Sequence, residues 1–263
     1  MNQTKRLTRP ELLSALAPKE ELDLLARHDL YFDTRAATTP ALIDAAHKLR
    51  FQVYCLERGF EKTEEHAGEM EIDAFDCHSQ HGLLFYRLTG EALGTVRIIS
   101  PNNGSTCDNL PIINILRSNN IELADYVPIE HTVELSRFAI SKNLRRRLND
   151  RYIASGIGAP RSFLEREAQG NLPCLSLMRF IFRQSLALGA THWAGVMEVK
   201  LLRMLASMGI PFQSIGPMVF HHGPRQPCYL NFIDKLESFK RDHYEYWRVI
   251  TNDGKLTENL PSI

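Results

Sequence analysis

The order of the regular segments constrains the fold of this chain most. Apolar, β-prone runs dominate its first half. The runs at 82–88 and 92–99 flank Thr89-Gly90-Glu91 and predict a β-hairpin, and 132–141 predicts another strand. After residue 171 the pattern is helix, strand, helix, strand and a final helix. This order predicts one α/β domain with a mixed sheet, and it disfavours a doubly wound fold or a barrel.

The same pattern divides the chain. We expect an N-terminal helical extension over 1–28, the main domain over 29–250 and a polar tail over 251–263. A basic insertion at about 142–171 interrupts the domain, and residues 57–76 predict a long acidic loop.

Composition excludes several classes of protein. Lys plus Arg equals Asp plus Glu, 31 each, so the chain has no general attraction to nucleic acid or to acidic membranes. An odd number of cysteines, five, without a C-x-x-C pair predicts reduced thiols. The polar N-terminus and the lack of an apolar run of about 18 residues predict a cytoplasmic protein without a membrane span.

The strand at 132–141 carries charges on a strongly apolar background. Strict alternation places Glu134, Ser136, Phe138 and Ile140 on one face, and Val133, Leu135, Arg137 and Ala139 on the other. Both faces are then buried, and a buried charge needs a partner. We expect either a β-bulge that redirects one side chain or a polar cleft at this strand, and both favour a functional site.

Four more patterns precede this strand. They are Arg50-x-x-x-Tyr54, the aromatic Phe60, the acidic Glu71-x-Asp73-x-x-Asp76 and Gly94-x-x-Arg97. Each alone is explained by surface ion pairs or a solvated loop. In this order, and followed by Glu134-Leu-Ser136-Arg137-Phe138, they resemble the acyl-homoserine-lactone synthases and the long-chain N-acyl amino acid synthases.

Two C-terminal segments make the resemblance more specific: Ile215-Gly-Pro217 and His222-Gly-Pro-Arg225-Gln-Pro227. They resemble the acyltransferases associated with PEP-CTERM/exosortase systems. The resemblance implies a GNAT-like acyltransferase fold of α/β (α+β) type, with a central mixed, mostly antiparallel sheet flanked by helices. Two features depart from the pattern: homoserine-lactone synthases usually have tryptophan where this chain has Phe60, and the usual GNAT pyrophosphate loop is not evident.

The resemblance implies transfer of a fatty acyl group from a thioester to the amine of an amino-acid-like acceptor. Glu134 is then the expected general base, on a catalytic strand shared with Ser136 and Arg137. Arg97 and Arg137 are candidate clamps for an acceptor carboxylate. The acidic trio of Glu71, Asp73 and Asp76 could hold the acceptor ammonium. Alternatively, the trio pairs with Arg50 and Arg97 and fixes the loop.

We expect no tightly bound cofactor, and the acyl thioester, on an acyl carrier protein or coenzyme A, acts as co-substrate. A basic cluster directly after the catalytic strand would dock an acidic carrier protein: Lys142, Arg145, Arg146 and Arg147. A solvated basic loop explains the cluster equally well.

Three other kinds of function compete with acyl transfer to an amino acid. The run Cys77-His78-x-x-His81, with His66 upstream, lacks the spacing of a metal site, so we predict none. A homoserine-lactone synthase that uses S-adenosylmethionine remains an alternative within the enzyme class. A catalytically silent module that binds an acyl group or an acyl carrier protein is the alternative from another class.

Overall fold

A computed structural model describes residues 22–87, 89–101, 110–142, 171–220, 223–258 and 260. The strands of this part are β1 Phe32–Ala36, β2 Ser79–Tyr86, β3 Glu91–Ile99, β4 Thr132–Ile140, β5 His192–Met197, β6 Gln213–Ser214, β7 Val219–Phe220 and β8 Pro224–Asn231. The helices are α1 Leu24–Tyr31, α2 Pro40–Phe51, α3 Pro111–Arg117, α4 Leu172–Ala187, α5 Val199–Ser207, α6 Leu236–Asp242 and α7 Tyr244–Thr251. A π-helix, Gln52–Glu57, continues α2.

The strands form one mixed sheet in the order β1-β2-β3-β4-β5-β8-β6, and β7 pairs with β8. Neighbouring strands are antiparallel except β4 and β5, which run parallel. The predicted mixed, mostly antiparallel sheet flanked by helices is therefore confirmed.

The main hydrophobic core lies between the sheet and the long helix α4. Leu175, Phe180 and Ile181 of α4 are fully buried there with Val133 and Leu135 of β4. α7 packs on α4, and α1 packs on α7 in turn. The predicted boundary at residue 28 falls within α1, and the predicted tail begins at Thr251, which is buried.

The opposite face of the sheet has two smaller apolar clusters. One lies under α2 around Ala46, Leu49 and Leu83. The other includes α3, with Ile112 and Leu116 buried. Polar side chains lie on this second face.

Several local predictions are confirmed and others are wrong. The hairpin, the 132–141 strand, and the first helix and strand after residue 171 are where the pattern places them. The residues Leu30-Tyr31-Phe32 read as a short strand by their apolar character, which is wrong for the first two: α1 continues to Tyr31 and β1 begins at Phe32. β8 was missed because Pro224 and Pro227 argue against a strand, although Pro227 pairs with Val196.

Some predictions fall outside the described residues. These include most of the N-terminal helical extension, most of the basic insertion, and Arg145, Arg146 and Arg147. Among the helices that are described, none has the length and apolar character needed to cross a membrane.

Candidate active site

β4 contains the β-bulge that its sequence pattern anticipated. Thr95 of β3 pairs with Ala139, but Arg97, two residues on, pairs with Ser136, so β4 has one extra residue there. Arg137 lies in this interval with φ +50°, in the left-handed region. An extra residue in this conformation turns the side-chain alternation by one position.

The bulge corrects the predicted faces of β4. Phe138 and Ile140 pack against the same core as Val133 and Leu135, not on the face of Glu134. Arg137 joins Glu134 and Ser136 on the polar face, since it contacts the acidic loop. The strand thus fills the core with one set of residues and presents three polar side chains to the other side.

Three arginines and three carboxylates form the centre of the polar face. Arg50 donates to Glu71 and, at 2.6 Å, to Asp76. Arg97 donates from Nη1 to Asp73 at 2.5 Å and to Asp76 at 2.8 Å.

The bulge residue completes this network. Arg137 donates to both Glu71 oxygens at 2.9 Å and to Asp73 at 3.1 Å. Arg97 also donates from Nε to Ser136 Oγ at 2.9 Å. The acidic trio therefore pairs with Arg50 and Arg97, which is the alternative to binding an acceptor ammonium. Arg137 is a third arginine partner of the trio.

Burial differs strongly within the network. The Arg50, Arg97 and Glu71 side chains are at most 1% exposed, whereas Asp73 is 26% and Arg137 16% exposed. Asp73 and Arg137 are therefore the members that a small molecule could reach.

The ion pairs outweigh burial in setting the protonation states of the network. Burial alone would raise the pKa of Glu71, but hydrogen bonds from Arg50 and Arg137 lower it to about 2. Burial likewise opposes ionisation of Asp76, and the Arg50 guanidinium nevertheless holds the pKa of that carboxyl well below its usual range. These carboxylates are charged at neutral pH.

Glu134 has the opposite environment. Its side chain is buried, and Oε2 accepts a hydrogen bond of 2.9 Å from the main-chain N–H of Ile112, in the first turn of α3. Burial raises the pKa of Glu134 to about 8, against the lowering effects of the Ile112 N–H and of Arg97 and Arg137. A carboxyl group with this pKa can exchange a proton near neutral pH.

β4 and β5 begin to separate at Glu134. In these two strands, both fully described, pairing covers Thr132–Glu134 and His192–Ala194, although both strands continue. Gly195 lies at the point of separation, where a Cβ would approach the Leu135 carbonyl oxygen to 2.8 Å. Glu134 is thus at the end of the paired segment, beside the opening.

Aromatic rings and guanidinium groups lie beyond the network. The Tyr54 and Phe60 rings are 6.1 Å apart, and Arg137 lies over Tyr54. Arg225 of β8 lies 5.1 Å from the Phe60 ring centre and pairs with Glu198 at 2.7 Å. We did not predict Arg225 as a site residue. Its position in the Gly-Pro-Arg-Gln-Pro segment, which resembles a family segment, could have indicated it.

The predicted partner-docking cluster is represented in the described chain by Lys142. Its main-chain N–H donates to Glu57 at 2.8 Å, and its side chain is exposed. The docking role of the cluster stays a prediction.

Comparison with known proteins supports the fold. The family profile described as an acetyltransferase (GNAT) domain matches residues 49–155. Three solved structures are similar: the AHL synthase LasI, TofI in a ternary complex with an inhibitor and MTA, and the CoA-dependent acyl-homoserine lactone synthase BjaI with SAM and isopentyl-CoA. No curated protein sequence matches the chain.

The structural likeness is extensive at low sequence identity. LasI has 22% identity and a TM-score of 0.52 over 75% of this chain and 88% of LasI. TofI has 19% identity and a TM-score of 0.54 over 81% of this chain and 99% of TofI. BjaI has 16% identity and a TM-score of 0.53 over 80% of this chain and 88% of BjaI. The chain therefore has a GNAT-like fold, as its sequence predicted.

Proposed function

We propose that this protein is an N-acyltransferase that moves a fatty acyl group from a thioester to the amine of an amino acid or a related acceptor. The observation that carries the proposal is Glu134, a buried carboxyl group with a raised pKa where β4 and β5 separate. The match to a GNAT domain over residues 49–155 supports acyl transfer as the reaction class.

Glu134 acts as the general base. The acceptor ammonium must lose a proton before its nitrogen can attack the thioester carbonyl. Glu134 takes that proton, directly or through a water, in its ionised form. A main-chain N–H of β4 beyond Glu134 stabilises the oxyanion, and the donor thiolate leaves.

The exposed end of the ion network binds the acceptor. Arg137 takes the acceptor carboxylate, because a guanidinium group can donate two parallel hydrogen bonds to a carboxylate. Asp73 takes the acceptor ammonium. The deeper members, Arg50, Arg97, Glu71 and Asp76, hold Arg137 and Asp73 in position, and Ser136 holds Arg97.

A homoserine-lactone synthase is the second candidate, favoured by similarity to LasI, TofI and BjaI. The acyl transfer step would be the same, with S-adenosylmethionine as acceptor. The two candidates therefore differ in the acceptor and in whether the product closes to a lactone.

The test incubates the purified protein with long-chain acyl groups on carrier protein or on coenzyme A. The acceptors are an amino acid pool and, separately, S-adenosylmethionine, and thiol release and product masses are followed. We expect an N-acyl amino acid that Glu134→Gln fails to produce. Glu130→Gln, an exposed change just before β4, is the matched control and should leave the rate unchanged.

The other outcomes are equally informative. An acyl-homoserine lactone would select the second candidate. Donor binding without thiol release from any donor would overturn both and leave a binding module.

A further inference from the structure

A thiol, a carboxylate and an imidazole meet beside the ion network. Cys55 lies in the π-helix after α2, and Glu61 and His66 follow in the next turns. One donor atom from each side chain lies within 4.8 Å of the others. Cys55 is buried, and the Glu61 and His66 side chains are 12% and 11% exposed.

The contact between His66 and Glu61 lacks the alignment of a hydrogen bond. His66 Nε2 is 2.7 Å from Glu61 Oε2, yet this buried nitrogen has no aligned hydrogen bond within the described chain. A buried imidazole nitrogen beside a carboxylate oxygen can serve, together with that oxygen, as a ligand of one ion.

The surroundings of Cys55 favour a cation. This free thiol is buried, and the carboxylates of Glu61, Glu71 and Glu65 act on it electrostatically. Negative charge around a thiol attracts a metal ion, and a coordinated thiol is deprotonated.

We infer that Cys55, Glu61 and His66 form a binding site for a soft divalent cation, with zinc as the ion that best suits thiolate, imidazole and carboxylate together. Three protein ligands leave one coordination position open. The second oxygen of Glu61 faces Arg137 Nη2 at 3.6 Å, so the ion would connect the π-helix to the bulge residue.

A second cluster, His47, Asp76 and His81, is a weaker site. Two guanidinium groups, of Arg50 and Arg97, donate to Asp76 at 2.6 and 2.8 Å, whereas the nearest one to Glu61 is that of Arg137, at 3.6 Å. A metal ion at Asp76 would therefore be repelled more strongly. The fold, not the spacing along the sequence, brings the Cys55 cluster together, which is why the sequence predicted no metal site.

The test measures zinc binding to the metal-stripped protein by competition with a chromophoric chelator. We expect one zinc ion per chain, bound at least about 100-fold more weakly by Cys55→Ser and by His66→Gln. Cobalt(II) should give a thiolate charge-transfer band that Cys55→Ser abolishes. Cys77→Ser removes an exposed free thiol and is the matched control, which should bind zinc like the parent protein.

Three results would overturn the inference. They are no stoichiometric binding by the parent, binding unchanged in both Cys55→Ser and His66→Gln, or loss of binding in His47→Gln alone. Circular dichroism establishes that each variant is folded, and His66→Gln decides if Cys55→Ser does not fold. The measurement uses no acyl donor, so it is independent of the proposed reaction.

Discussion

Arg137 donates two hydrogen bonds to Glu71, from Nε to Oε2 and from Nη2 to Oε1, each 2.9 Å long. This bidentate pair joins the bulge of β4 to the acidic loop. Its geometry depends on the planar guanidinium group, because an ammonium group cannot present two parallel donors to one carboxylate.

We therefore expect Arg137→Lys to lower the free energy of unfolding by about 1–3 kcal/mol although the charge is kept. Acyl transfer should fall at least about tenfold because the acceptor clamp is lost. Urea unfolding and thiol release measure the two effects. Arg35→Lys, in a partly exposed pair with Asp33, is the control and should change stability by less than about 1 kcal/mol. Equal stability of the two variants would contradict the prediction.

Glu71→Gln should destabilise the fold by about 3–5 kcal/mol, because Arg50 and Arg137 lose a buried counter-charge. Glu69→Gln, an exposed change in the same loop, should have little effect. Thermal and urea unfolding at neutral pH compare them. A loss below about 1 kcal/mol in Glu71→Gln would show that the network contributes little to stability.

The same pair predicts a pH dependence. The pKa of Glu71 is about 2 in the folded chain, below its ordinary value of 4.5. The stabilising contribution of Glu71 is therefore present above about pH 4.5 and is lost as the pH falls toward 2. The stability difference between parent and Glu71→Gln should shrink in that window, and unfolding curves measured between neutral and acidic pH check it.

Glu134 should control activity at higher pH. Its ionised form is the base, so kcat/KM should rise with pH up to about 8 and level off above it. A pH–rate profile of the parent protein measures this. A profile without an inflection between pH 6 and 9 would remove Glu134 as the titrating base.

Glu134 should also affect stability, with the opposite sign to Glu71. Folding raises the pKa of Glu134. Its contribution to the free energy of unfolding is therefore complete below about pH 4.5 and is lost as the pH rises toward 8. Relative to Glu134→Gln, the parent should lose at most about 1.4 kcal/mol per pH unit in this window. Unfolding curves of both proteins at several pH values provide the comparison.

Gly195→Ala tests the separation of β4 and β5. A Cβ at this position would lie 2.8 Å from the Leu135 carbonyl oxygen, so we expect a loss of about 1–3 kcal/mol and a higher KM for the acyl donor. Gly94→Ala is the matched control, because its Cβ would approach the Ala139 carbonyl to 2.9 Å from the opposite edge of β4. It should lower stability without changing KM. An equal effect on KM from both variants would contradict a donor site at the β4–β5 opening.

Periodicity predicted the parts of the fold that depend on local pattern. Leu175 and Phe182 mark α4 by helical spacing, and the residues on either side of Gly90 mark the hairpin. α3 was missed because its seven residues, Pro111–Arg117, are too few for a clear period. β8 was missed because its pairing partners are distant in the sequence and override the effect of its prolines.

The site was predictable as a set of residues but not as an arrangement. The sequence grouped Glu134 with Arg50, Arg97, Arg137 and the acidic trio through their order along the chain. The role of general base required a raised pKa of Glu134, but the sequence could not show the neighbours across the fold that raise it or those that lower the pKa of Glu71. Their roles in catalysis remain predictions.

The extra residue at Arg137 shifts the side-chain alternation of β4 by one position. The stretch from Val133 to Ser136 and the stretch from Phe138 to Ile140 each alternate correctly, but they are out of phase with one another by one position. Deleting residue 137 would restore strict alternation and leave Phe138 and Ile140 in the core and Glu134 and Ser136 on the polar face. What would be lost is the guanidinium group that joins β4 to Glu71 and Asp73. The extra residue therefore adds an arginine to the polar face at no cost to the set of side chains that β4 contributes to the core.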